Sequence, residues 1–139
     1  FINIVMTGMG FSLRSTDLFF WCFSSPWIVV SYMGKKHSFF KASCGLRQGD
    51  PLYPTLFILS QDVLSRIFNK SVSNSEIRPY HRRLISIFIT HLMFADDTTV
   101  FMSASTRSVR GSTKALETYF QWSEKIVNSS KRNLFISNK

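Results

Sequence analysis

Two adjacent aspartates, Asp96 and Asp97, stand between apolar and β-branched residues in the segment FADDTTVF, residues 94–101. Their like charges repel each other unless a cation lies beside them. Hard divalent cations such as Mg²⁺ prefer oxygen ligands and keep water and substrate phosphates in their shell. Two such ions about 4 Å apart can hold the attacking and leaving oxygens of a phosphoryl transfer. The pair is a candidate metal site, although aspartates taken alone are also typical of tight turns.

A second segment, GLRQGDPLYP at residues 45–54, offers groups that bind anions. Gly45 and Gly49 allow another backbone to approach closely. Arg47 presents a fork of donors, Gln48 presents an amide, and the start of a helix carries partial positive charge. A nucleotide or a template strand would suit these donors. The segment is equally typical of a glycine-containing loop before a capped helix.

The elements that position these residues are predicted by local patterns. β-Prone runs at 85–94 and 98–104 predict two strands, with Ala95, Asp96 and Asp97 as a tight turn between them. The paired aspartates would then lie at the tip of a hairpin.

A helix is predicted after the glycine-containing loop. Asp50 is a suitable N-cap, and Pro51 suits the first helical position because its missing N–H would be unpaired there. The helix is expected to end near Asn69. Its predicted apolar stripe consists of Leu52, Leu56, Leu59, Val63 and Ile67.

The other predicted elements follow the same reasoning. They are helices at 1–9, 14–23 and 106–127, strands at 27–33 and 37–43 joined across 34–36, a surface connection at 70–83 and a last strand at 133–137. On the helix at 106–127, the predicted packing face is Leu116, Tyr119, Phe120 and Val127. This order predicts an α+β fold in which helices pack on one face of an antiparallel sheet.

The charge balance favours a polyanionic partner. Seventeen Lys and Arg residues against eight Asp and Glu give a formal charge of +9 over 139 residues. Lysine and arginine neutralise phosphates and release counterions. A soluble basic protein without such a partner is the alternative.

No membrane span or disulfide framework is expected. The most apolar run, 18–33, is broken by Ser24, Ser25 and Pro26, whereas a span needs about 20 apolar residues. Cys22 and Cys44 are too few for a disulfide framework, so a reducing compartment is the default.

Several segments together resemble one known family. GLRQGDPLYPTLFILSQDVLSRIF and ITHLMFADDTTVF, preceded by MGFS and followed by LETYFQWSEKIVNSSKRNLFISNK, resemble the palm domain of reverse transcriptases from plant LINE-type non-LTR retrotransposons. The likeness covers nearly the whole chain. It implies a single partial reverse transcriptase domain over 1–139, a partial polymerase palm whose antiparallel sheet carries the catalytic-type hairpin. It also implies an RNA template, a DNA primer, deoxynucleoside triphosphates and Mg²⁺ or Mn²⁺. The replication habit of the family implies an intracellular location, either nucleus or cytoplasm.

The resemblance assigns roles to individual residues. Asp96 would be a direct metal ligand of the catalytic site. Asp97 would be either a supporting carboxylate of the same metal site or a group that lies just behind its direct ligands. Phe94 and Ala95 would shape the site beside the primer end.

The resemblance also implies a binding loop. Arg47, Gln48 and Gly49 would position the template and the incoming nucleotide. Lys131 falls where the family has a lysine after the palm helix. A role near the triphosphate is one interpretation, and a solvent-facing lysine at a helix end fits the residues at least as well.

The sequence also departs from the family pattern. Tyr53, Glu124 and Arg132 replace the usual Ser, Gly and Ser. The family's further catalytic aspartate lies on an upstream strand, but the segment FINIVMTG before Met9 is not acidic. We therefore expect a palm piece of a longer parent protein, without fingers or thumb segments, that is inactive or nearly so by itself. The alternatives are a non-catalytic RNA- or DNA-binding fragment, a non-functional retrotransposon remnant and a small membrane protein.

Overall fold

The structure, a computed structural model, describes most of the chain. The described residues are 1–41, 49–80, 89–95, 97–123 and 133–136. They contain α1 (Ile2–Gly8), α2 (Leu13–Ser24), β1 (Trp27–Tyr32), β2 (Lys35–Lys41), α3 (Tyr53–Ser73), β3 (His91–Phe94), β4 (Asp97–Val100) and α4 (Thr106–Ser123). The α+β class is confirmed. The described strands form two separate two-stranded antiparallel sheets instead of the single sheet that was expected.

The first of two compact units spans Phe1–Leu59 and begins with two helices. Ser12 caps α2 because its Oγ accepts a hydrogen bond from the backbone N–H of Ser15 at 3.1 Å. Such a cap satisfies an N–H that has no partner within the helix. Both helices lie within one residue of their predicted ends.

The β1–β2 hairpin of this unit closes through a two-residue turn. Tyr32 pairs with Lys35, and Met33 and Gly34 between them have φ of 50° and 73°. Two consecutive positive φ values match the right-handed twist of a hairpin. The predicted hairpin is confirmed, but its turn lies at 33–34 instead of 34–36, so both lysines after Gly34 belong to β2.

Helix α3 differs from its prediction at both ends. It begins at Tyr53, because Asp50 and Pro51 form a preceding turn in which Asp50 Oδ1 accepts the Leu52 N–H at 2.8 Å. The aspartate thus caps a turn instead of the helix, and the predicted N-cap is wrong. At its other end the helix continues to Ser73, four residues beyond the prediction.

The buried stripe of α3 is also rotated from the predicted one. Of the predicted positions, Leu56 is buried and the others are half-buried. The buried stripe consists of Leu56, Ser60, Leu64, Phe68 and Ser71. Apolar residues occur on several sides of this helix, so periodicity alone selected the wrong side.

The second unit, Ser60–Lys139, packs the C-terminal part of α3 and the helix α4 around a small core. Its buried apolar side chains are Leu64, Phe68, Ile77, Ala115 and Tyr119. Burial of Ile77 corrects the surface connection predicted at 70–83. On α4, Tyr119 is buried as predicted, but its buried neighbours are the small residues Ser108, Gly111, Ser112 and Ala115.

The strands predicted in this unit are longer than those observed. Ile89 and Thr90, which precede β3, are not in a strand. Strand β4 ends at Val100, and beyond it the described residues form only an isolated bridge between Met102 and Pro79. The final strand is wrong for 133–136, which are not in a strand and are exposed. Residues 85–88 and Val127 lie outside the described ranges.

Candidate functional site

The β3–β4 hairpin holds the predicted aspartate motif. Phe94 pairs with Asp97, which leaves a two-residue connection whose first residue, Ala95, has φ of 45°. A positive φ at that position is the geometry of tight hairpin turns. Asp97 is therefore the first residue of β4, directly beside the tip, and the prediction that it belongs to the turn is wrong. Asp96 lies outside the described residues.

The two faces of this hairpin differ in exposure. Paired residues of an antiparallel ladder share a face. One face is half-buried and carries His91, Met93, Thr98 and Val100; the other is exposed and carries Leu92, Phe94, Asp97 and Thr99. Asp97 thus presents its carboxylate on the open face, opposite Phe94, whose side chain is 80% exposed.

His91 attaches the half-buried face to α3. Its Nε2 lies 2.8 Å from Ser65 Oγ, and its Nδ1 lies 2.7 Å from Thr90 Oγ1. The imidazole stacks on the buried ring of Phe68, with centroids 5.3 Å apart and planes inclined by 27°. One hydrogen bond and one ring contact therefore join the hairpin to the helix, and the hydroxyl of the adjacent Thr90 orients the imidazole.

The setting of His91 favours its neutral form. Desolvation by burial lowers the pKa of His91 below its ordinary value of 6.5. A neutral imidazole has one N–H donor and one acceptor nitrogen. The two neighbouring hydroxyls can match either tautomer, because a hydroxyl can both donate and accept. His91 is thus a positioning residue for the hairpin.

Helix α4 supports the same unit from another side through a very close backbone approach. A Cβ added to Gly111 would lie 2.6 Å from the carbonyl oxygen of Glu76 and 3.1 Å from Cγ1 of Ile77. One turn earlier, the fully buried Ser108 Oγ accepts the Arg78 N–H at 3.1 Å. These contacts require small residues at this part of α4.

Of the predicted site residues, the structure brings Phe94, Ala95 and Asp97 together on one hairpin. Gly49 lies in a turn with φ of 84°, a conformation that glycine adopts without strain. The other predicted site residues, Arg47, Gln48, Asp96 and Lys131, lie outside the described ranges. Within those ranges no group of three His, Cys, Asp or Glu side chains could hold a metal ion.

Sequence reasoning missed the residues that support the hairpin: Ser65, Phe68, Thr90, His91 and Gly111. One signal was available, because His91 and Met93 alternate with Leu92 and Phe94 as residues of a half-buried strand do. A serine among apolar residues of α3 gave no indication of its partner 26 positions away.

A separate open cavity of about 340 Å³ lies beside α4. Its lining residues are Glu76, Thr106, Arg107, Arg110, Gly111 and Lys114. It contains none of the predicted site residues. The carboxylate of Asp97 lies on an open strand face instead of in this cavity.

Comparison with known proteins supplies the class. Residues 10–139 match the family described as reverse transcriptase (RNA-dependent DNA polymerase), so the chain belongs to this family.

Among curated proteins, the chain is similar to an uncharacterized mitochondrial protein of Arabidopsis thaliana. The two are 46% identical over 56 residues, which cover 40% of this chain and 46% of that protein. The chain thus matches less than half of the length of this relative. No solved structure matches the chain. In the described part of the chain, every helix is too short or too polar to cross a membrane.

Proposed function

We propose that the chain is a palm piece of a LINE-type non-LTR retrotransposon reverse transcriptase of the plant kind. Its reaction would be template-directed nucleotidyl transfer, in which the 3′-hydroxyl of a DNA primer attacks a deoxynucleoside triphosphate and pyrophosphate leaves. The observation that carries this proposal is the Asp97 carboxylate beside a two-residue hairpin tip, on the face that is open to solvent.

The donor chemistry of the hairpin fits Mg²⁺ or Mn²⁺. The Asp97 carboxylate has no hydrogen bond or ion pair to any described residue, so its oxygens are available as ligands. Asp96, adjacent in sequence, would supply the direct ligand. Bound ions would neutralise charge that develops on the reacting phosphate.

The remaining residues would position the substrates. Phe94, exposed opposite Asp97, would lie beside the primer end, and His91 would hold the hairpin in register with α3. Arg47, Gln48 and Gly49 would bind the template and nucleotide, and Lys131 would lie near the triphosphate. Gly49 has a φ of 84°, and a Cβ added there would meet no atom within 4 Å, so there is room beside it for another backbone.

We further propose that these 139 residues are inactive or nearly so by themselves. Two carboxylates of one hairpin form an incomplete two-metal site, and the segment FINIVMTG before Met9 adds no third. Activity depends on metal-held geometry, which an incomplete ligand set weakens. A carboxylate from a longer parent protein would complete the site.

A metal-binding measurement tests the hairpin directly. Free Mn²⁺ is followed by electron paramagnetic resonance as the chain is titrated. We expect weak binding that falls at least about tenfold in Asp97→Asn, because a carboxylate ligand is replaced by a neutral amide. Asp62→Asn is the matched control, since Asp62 lies on α3 and pairs with Arg66 at 2.6 Å. Equal binding by Asp97→Asn and wild type would contradict the proposed metal site.

An extension assay tests the proposed inactivity. The chain is incubated with an RNA template, a DNA primer, deoxynucleoside triphosphates and Mg²⁺ or Mn²⁺, and we expect no incorporation above background. Incorporation that Asp96→Asn abolishes would contradict the proposed inactivity.

A further inference from the structure

The β1–β2 hairpin is exposed on both faces, although it is rich in aromatic residues. Of the side chains in its two strands, only Ile28 is half-buried and the rest are exposed. The segment 27–41 contains three lysines and a histidine but no acidic residue. It therefore combines exposed rings with uncompensated positive charge.

The pairing register assigns each side chain to a face. Cross-strand partners share a face, and alternate residues along a strand lie on the same face. One face, called here the Trp27 face, carries Trp27, Val29, Ser31, Lys36, Phe39 and Lys41. The opposite face carries Ile28, Val30, Tyr32, Lys35, His37 and Phe40.

A bulge produces this separation. Val29 pairs with Phe39 and Val30 with His37, which leaves Ser38 unpaired with φ of 52°. Without the extra residue, His37 and Phe39 would lie on one face, because side chains alternate with a period of two. The edge-on contact of Tyr32 with His37, with centroids 6.4 Å apart, agrees with the assignment.

The Trp27 face presents two large rings to solvent. Trp27 is 65% exposed and Phe39 is 67% exposed. Phe39 is paired with Val29, two residues along the strand from Trp27, so the two rings occupy a diagonal position on one face. Diagonal neighbours lie about 7–8 Å apart, within reach of large side chains. Consecutive bases of one strand can stack on rings placed in this way.

Lysines stand at both ends of these rings. Lys41 lies directly opposite Trp27, and Lys36 lies opposite Ser31 at the turn end of the hairpin. Ammonium groups beside stacking rings are suited to the phosphates that link stacked bases. If an apolar protein segment covered this face instead, it would bury the lysine ammonium groups without an opposite charge, because the hairpin has no carboxylate of its own.

We propose that the Trp27 face binds single-stranded nucleic acid, with bases stacked on Trp27 and Phe39 and phosphates held by Lys36 and Lys41. This site is built from other residues than the β3–β4 hairpin. Its binding requires neither a metal ion nor a complete catalytic centre, so it holds whether or not the polymerase proposal does.

The test measures the affinity of the chain for a fluorescent single-stranded oligouridylate by anisotropy, without divalent ions. We expect Trp27→Ala and Phe39→Ala each to weaken binding by about five- to 150-fold, the range for loss of one aromatic stacking residue. Trp27→Phe and Phe39→Tyr, which keep a ring, are expected to stay within about threefold of wild type. An Ala variant of either ring that binds as tightly as wild type overturns the proposal.

The opposite face supplies matched controls. Tyr32 is as exposed as Trp27, at 65%, and Lys35 is the neighbour of Lys36 in β2. We expect Lys36→Ala to lower the slope of log affinity against log salt by about 0.7, the contribution of one phosphate contact on a single strand. Tyr32→Ala and Lys35→Ala are expected to change affinity and slope less. Equal effects from both faces would show general charge attraction and overturn the proposal.

Photochemical cross-linking of the unmodified chain locates the contact even if a variant does not fold. After ultraviolet irradiation with the oligouridylate, we expect peptides containing Trp27 or Phe39 to carry the nucleotide adduct. Adducts confined to Tyr32 would overturn the proposal. Sedimentation provides a second check: if wild type is a dimer and Trp27→Ala is a monomer, a second copy of the chain covers this face and the proposal is also overturned. The binding assay contains no divalent ion and therefore does not depend on the proposed metal site, so a failed metal site and a failed stacking face give different results.

Discussion

In the β3–β4 hairpin one face rests on α3 and the other is open, whereas in the β1–β2 hairpin almost every side chain of both faces is exposed. The first hairpin has a histidine held by two hydroxyls and a buried ring. The second has exposed rings and lysines without an acidic residue. Chemistry on a phosphate needs a carboxylate held in place, whereas stacking of bases needs aromatic rings that are open to solvent. The difference in anchoring therefore matches the two proposed roles.

The largest expected effect comes from the ring beneath the anchored hairpin. Phe68→Ala removes a fully buried ring that contacts His91 and should lower the free energy of unfolding by about 3–5 kcal/mol. Trp27→Ala is the control in the open hairpin and should change it by only about 0.5 kcal/mol, as for most exposed positions. Urea denaturation followed by far-ultraviolet circular dichroism measures both. Comparable losses from the two variants would remove the distinction between anchored and open hairpins.

A smaller effect is expected from the close approach of α4. Gly111→Ala places a Cβ 2.6 Å from the Glu76 carbonyl oxygen, and overpacking of this kind costs about 1–3 kcal/mol. Gly8→Ala in α1 is the matched control, because an added Cβ there meets no atom within 4 Å. That control should be neutral or slightly stabilising, since alanine favours helix more than glycine does. Thermal melts of the two variants measure the difference. A Gly111→Ala chain that is more stable than wild type would contradict the close packing of α4 against Glu76.

The smallest effect is a pH dependence from His91. Its pKa is lowered on folding by desolvation, so the unfolded chain binds a proton more readily than the folded one just below pH 6.5. Its contribution to stability is present above pH 6.5 and is lost as the pH falls through the folded pKa. This loss gives the free energy of unfolding a slope against pH. We expect the part of the slope that comes from His91 to disappear in His91→Gln, when the free energy of unfolding is measured by urea denaturation at several pH values between about 5 and 7.5. An unchanged slope would show that His91 does not make this contribution.

Local patterns in the sequence were sufficient for the hairpins and for three residues of the candidate site. β-Branched and aromatic runs bounded by Gly34 and by the aspartates predicted both turns to within a few residues. Phe94, Ala95 and Asp97 meet on one hairpin because they are neighbours in sequence. Their proposed roles, and those of the residues outside the described ranges, stay predictions.

Other features could not be read from local patterns. The predicted stripe of α3 passes through Val63 and Ile67, whereas the buried stripe lies one position further along, through Leu64 and Phe68. Both stripes are apolar, so the sequence pattern does not distinguish them. The run NLFI was predicted as a strand from its composition, yet it pairs with no described strand. A strand requires a partner, which composition does not provide.

The sequence by itself determined the positive charge, the presence of two hairpins and the placement of Asp97 close to a hairpin tip, because these depend on residues close together in the chain. The tertiary structure decided which hairpin face is covered, that His91 lies between Ser65 and Thr90, and that only glycine fits at position 111. The physical reason is that burial and close packing arise from contacts between residues that are distant in sequence. No local pattern specifies those contacts.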